Sequence, residues 1–328
     1  MRLTQRAVIA ATAAAGLLVP AAAARASEPS ASPAIGSAVT IGVGTRPLAV
    51  AANPRANTIY VANTLSDTVS VINGRTNSVA ATIGVGLLPQ GVAANPRTDT
   101  IYVTNTNDNT VSVINGRTNT VAATIPVGVG PAGVAANPRT DTIYVANENS
   151  GTVSVINGRT NTVAATVPVG LFPQGVATNP RSDTIYVANE NSGTVSVING
   201  RTNAVAATVP VGLLPVGIAV NPRTRAIYVT SDLPETVSVI NGRTNTVAAT
   251  IPVGLAPQGV AVNPRANTVY VANENSDTVS VISGRTNTVV ATISGVPTPV
   301  GVAVNLRTET VYVTNAFEDT VSALSFRR

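Results

Sequence analysis

The side chains available for chemistry are carboxylates, arginines and seven tyrosines, because the chain has no histidine, no cysteine and no tryptophan. A Ser-His-Asp or Cys-His nucleophile system cannot be assembled from these residues, and neither can a His-ligated zinc or copper site. What remains is acid–base work by carboxylates, arginine electrostatics, or a hard cation held by oxygen. Glu148-Asn149-Ser150, Glu190-Asn191-Ser192 and Glu274-Asn275-Ser276 supply ligands of the kind calcium takes. EF-hand spacing is absent, so Glu148, Glu190 and Glu274 share an ion only if separate loops bend toward one point. Solvated loop charge is the plain alternative, and no motif calls for a cofactor.

Those three acidic triplets are copies of one another. Pro47, Pro89, Pro131, Pro173, Pro215, Pro257 and Pro299 open seven copies of a sentence 42 residues long. It runs from Pro-Gln-Gly-Val-Ala-Ala-Asn-Pro-Arg through Ile-Tyr-Val-Ala-Asn and Thr-Val-Ser-Val-Ile-Asn-Gly-Arg to Val-Ala-Ala-Thr-Ile-Pro-Val-Gly. A fixed period of this length specifies a repeat architecture before any single residue does. The last copy lacks its closing segment, and Ser37–Gly44 matches the closing segment Val79–Gly86. A copy split between the two ends of the chain predicts a closed ring.

Each copy reads as four short strands, in blade 2 Gly91–Asn95, Thr100–Asn105, Thr110–Asn115 and Thr120–Gly128. Val, Ile, Thr and Tyr fill the last three, and Asn-Pro-Arg, Asn-Asp-Asn and Asn-Gly-Arg punctuate them. Four antiparallel strands make a propeller blade. The expected fold is therefore all-β, a seven-bladed propeller over residues 37–328 closed by an N-terminal strand. Tyr102-Val103-Thr104-Asn105 and Tyr312-Val313-Thr314-Asn315 read YVTN, and Tyr-Val-Ala-Asn recurs at 60–63, 144–147, 186–189 and 270–273. The chain resembles the YVTN family of β-propeller repeat proteins. That resemblance implies a secreted or cell-surface protein, and some related propellers bind nucleic acid or cleave lactones.

Blade topology sorts the charges. Loops between strands one and two, and three and four, fall on one face, and these carry the Asn-Pro-Arg and Asn-Gly-Arg turns. That face is expected to be basic, with Arg117, Arg159 and Arg201 as candidate anion-binding groups. A structural role, in which the arginines bond neighbouring turns, competes with single-stranded nucleic-acid or anionic-polymer binding. Single-strand binders also use stacking aromatics, which the arginine turns lack. The opposite face collects most of the acids, together with Leu171, Phe172, Leu213, Leu214, Phe317 and the amides Gln90, Gln174 and Gln258. Apolar groups rimmed by polar ones are what a partner site looks like, so these eight are the candidate partner-binding residues.

At the N-terminus, Arg2 and Arg6 precede an apolar run from Ala7 to Ala24 and an Ala24-Arg25-Ala26 cleavage pattern. Residues 1–26 read as a signal peptide and 27–36 as a flexible lead-in. No second apolar span follows, so the mature chain is expected to be secreted or cell-wall associated, without a membrane span and monomeric. Near-identical blades name no acid, base or nucleophile, and multivalent binding suits a repeated surface better. The reading is a binding or scaffold module for a protein or a cell-surface polysaccharide. A metal-dependent hydrolase or lyase at the channel mouth stays open beside it.

Overall fold

The computed structural model describes residues 35–326, so the signal-peptide reading and most of the lead-in lie outside the described residues. Seven sheets of four antiparallel strands follow one another in chain order. Blade 2, for example, is built from Pro89–Asn95, Thr100–Asn105, Thr110–Asn115 and Thr120–Pro126, its first strand beginning two residues earlier than expected. The three strands Pro299–Asn305, Thr310–Asn315 and Thr320–Phe326 of blade 7 take Ile35–Gly42 as their fourth. In that pairing Val39 stands opposite Ala323 and Ile41 opposite Val321.

β-branched residues on both faces of a strand suit a blade pressed between two neighbours. Tyr102, Val111 and Val113 of blade 2 pack on Val134, Ile143 and Val145 of blade 3, while Ile101, Val103 and Ile114 pack on Tyr60 and Val69 of blade 1. Seven such clusters fill the seven blade-to-blade contacts. The contact between blades 7 and 1 includes Ile41 from the N-terminal strand, beside Tyr312, Val321, Val50 and Ile59. No blade has a core of its own. Each apolar face is buried only by the next blade, and this couples the ring.

The turns lock the ring on the basic face. The Asn53 amide donates to Asp99 of the next blade at 2.7 Å, Asn95 to Asp141 and Asn137 to Asp183 at 2.8 Å, and Asn305 closes the circle on Asn57 at 2.7 Å. Arginines of the Asn-Pro-Arg turns add a second tie. Arg97 donates to the Arg139 carbonyl at 3.0 Å, Arg181 to that of Pro222 at 2.9 Å, and Arg307 to that of Arg55 at 3.2 Å. The structural role expected of arginines holds for this set.

Blade 5 departs from the pattern at Ser231. In blade 1 the equivalent Asn63 amide donates to Thr68 Oγ1 at 3.1 Å and Ser70 Oγ at 2.9 Å. Ser231 is too short to do this, and both its hydroxyl and that of Thr236 are buried without a partner. We expect Ser231→Asn to stabilise the protein by about 1 kcal/mol, since the unpaired Ser231 hydroxyl is removed and the buried Thr236 hydroxyl regains a partner. Thermal denaturation of the variant checks this, and a melting temperature at or below the parent's would contradict it.

Candidate functional site

The first strands of all seven blades line a central channel with a cavity of about 490 Å³. Glycine makes the wall possible: a Cβ on Gly133 would stand 2.1 Å from the Gln174 carbonyl oxygen of the next blade. The first strands thus approach backbone to backbone. Small and aliphatic side chains such as Ala132, Val134, Val216 and Val300 leave the bore mostly apolar.

Polar groups gather at one mouth. The position after Tyr-Val-Ala-Asn holds Thr64, Thr106, Glu148, Glu190, Asp232, Glu274 and Ala316 in blades 1 to 7. Four consecutive blades therefore present an arc of carboxylates, and the other three present none at this position. Gln174 joins two members of the arc, its amide donating to Glu148 Oε1 at 2.6 Å and to Glu190 Oε2 at 3.0 Å. Gln90 accepts from the Thr106 hydroxyl at 3.1 Å, and Gln258 lines the same cavity.

Burial raises the Glu148 carboxyl above the usual range, and the Glu190 charge adds to this against the bond from Gln174. Glu274 is raised first by burial and also by Asp232, while Arg46 opposes the shift. Arg46 also lies over the Phe317 ring, 5.7 Å from its centre. The mouth is thus a carboxylate arc met from the blade 7 side by one cation.

The three candidate metal ligands divide. Glu148 and Glu190 share one amide, whereas Glu274 faces Asp232 and Arg46. Among the described residues no three Asp or Glu stand close enough to hold a metal ion together. Asp232 and Arg46 also belong to the site; sorting the charges by loop places both on this face, Arg46 as its lone cation, without making either a candidate site residue. Stacking the repeats would have found Asp232, which shares its position with Glu148. What such sorting does not give is the reach of Arg46 toward Glu274 and Phe317, which depends on ring closure.

Apolar loop residues surround this arc. Leu171 is 68% exposed, Phe317 67% and Leu213 66%, and Leu65, Leu87, Leu233 and Leu255 also project. Phe172 and Leu214 do not project in this way. Both are half-buried just before a proline, with φ of 57° and 52°, and Leu214 turns into the channel mouth. Such left-handed residues carry backbone strain that the surrounding ring sustains. On the opposite face, Arg117, Arg159 and Arg201 are exposed, and only their backbone N–H groups are tied, each to the preceding Asn side chain at 2.9 Å.

Residues 215–318 match the family model of YNCE-like beta-propellers, in agreement with the YVTN resemblance. Among solved structures, hydrazine synthase of Kuenenia stuttgartiensis superposes with a TM-score of 0.76 at 19% identity. The alignment covers 87% of this chain and 97% of that one. At this identity the likeness is one of fold, and propellers carry many unrelated activities. No curated protein matches the chain.

Proposed function

We propose that the protein is an exported binding module whose acidic, leucine-studded face docks a protein or a cell-surface polymer around the channel mouth. The observation that carries this reading is the broken symmetry of that face. Seven near-identical blades give equivalent positions, yet at the position after Tyr-Val-Ala-Asn acids occupy only the arc from Glu148 to Glu274, and exposed leucines project beside it. A partner with basic groups and a small apolar patch complements such a surface, apolar contact supplying affinity and charge supplying orientation. The exposed Leu171 and Leu213 sit on successive blades and form the best anchor pair.

Because both side chains project into solvent, Leu171→Ser with Leu213→Ser should leave the fold intact while removing the anchor. Parent and variant are used to capture partners from culture supernatant and cell-wall extracts, with captured material identified by mass spectrometry. We expect the variant to lose the species held by the parent, a loss of ~2 kcal/mol or more in binding if these leucines are central. Equal capture by both proteins, with unchanged circular dichroism, would remove this face from consideration. Loss of capture on adding a chelator would instead favour an oxygen-held metal at the mouth.

A further inference from the structure

We propose that the basic face holds a phosphate-type oxyanion in the cleft between blades 1 and 2, a site independent of the channel mouth. The cleft has a volume of about 380 Å³, and its polar lining is Asn57, Thr58, Asn73, Arg75 and Asn119, with Arg307 from blade 7. No carboxylate lines it. Arg75 is exposed, and its guanidinium makes no hydrogen bond or ion pair among the described residues. Arg307 places one nitrogen on the Arg55 carbonyl and keeps its other donors. Asn73 accepts the Arg75 backbone N–H on its side-chain oxygen at 2.9 Å, so its amide hydrogens remain to donate. Two guanidinium forks beside neutral amides suit a tetrahedral oxyanion, whose oxygens take paired N–H donors.

The repeat supplies its own comparison. The equivalent cleft between blades 2 and 3 has about 360 Å³ and is lined by Arg117 where the first has Arg75, but by Asp99 where the first has Asn57 and by no counterpart of Arg307. Blades 3 and 4 also carry Asp at this position, Asp141 and Asp183. All of these residues serve the same latch: Asn57 accepts the Asn305 amide at 2.7 Å, as Asp99 accepts that of Asn53. Ring closure is thus served by either residue. What Asn57 changes is charge, since it removes the carboxylate that would repel an anion and leaves the arginines unopposed.

The test titrates the full protein with inorganic phosphate, and separately with linear polyphosphate, by calorimetry at neutral pH and low salt. We expect saturable binding that Asn57→Asp weakens by about tenfold or more, because one like charge enters the cleft. The fold should survive, as Asp already fills this position in three blades. Arg75→Gln should weaken binding similarly, whereas Arg117→Gln removes the same charge from the Asp-lined cleft and should leave binding unchanged. Tighter binding of the chain than of the free ion would assign the site to a phosphate polymer, and equal binding to the free anion. Absence of saturable binding, equal affinity of Asn57→Asp and parent, or equal loss from both arginine variants would overturn the proposal.

Discussion

A chain beginning at Pro47 should be aggregation-prone and melt far below one beginning at Ser27. The deletion removes the fourth strand of blade 7, whose backbone pairs along Thr320–Phe326, and leaves that strand as an open edge. It also removes Ile41 from the cluster joining blades 7 and 1. Loss of that side chain alone is worth roughly 2–5 kcal/mol, comparable to a large part of a domain's net stability. Because every apolar face depends on its neighbour, an opening at one contact weakens the closure of the whole ring. Size-exclusion chromatography and thermal denaturation decide the matter. Equal monomer content and equal melting of the two chains would refute closure by the N-terminal strand.

A steep alkaline unfolding above pH 10 is the second large effect. The seven tyrosines are buried in the blade-to-blade clusters. Burial is the first cause pushing Tyr60, Tyr144, Tyr270 and Tyr312 up to about 12, with the charge of Asp99 adding for Tyr60 and that of Asp183 for Tyr144. Tyr102, Tyr186 and Tyr228 move in the same direction, again through burial. The folded state therefore holds phenol protons that the unfolded chain releases near pH 10. Stability is fully present below pH 10 and falls as pH rises toward 12, by about 1.4 kcal/mol per tyrosine for each pH unit. The four tyrosines raised to about 12 by themselves make the loss at pH 11 on the order of 6 kcal/mol, comparable to the net stability of an ordinary domain.

Tyrosinate absorbance and circular dichroism should change together in one transition. Independent titration of the tyrosines near pH 10 with the fold retained would contradict the expectation. Tyr102→Phe should move the transition to higher pH, since the Tyr102 hydroxyl is buried with no partner and contributes only its cost of ionisation.

The amino-acid sequence by itself determined the repeat, the four strands per copy, the ring closed by a split blade and the separation of the turns into a basic and an acidic face. These follow from local chemistry: β-branched runs make strands, and Asn-Pro-Arg and Asn-Gly-Arg make turns whose order along the blade dictates their face. Asn77, Asn119 and Asn161 adopt a positive φ at the same turn position, as residue type alone would suggest. Tertiary structure decided what the repeated residues do. The same residue type ties blade to blade at Arg97 and stands free at Arg75, because only the inner turn faces a neighbouring carbonyl. Leu171 projects while Phe172 next to it is held half-buried, because the residue before each proline is forced into a left-handed turn against the ring. Glu148 and Glu190, 42 residues apart in sequence, meet on Gln174 because successive blades bring equivalent loops side by side at the axis. Distances across a closed ring depend on all seven contacts at once, and no local pattern encodes them.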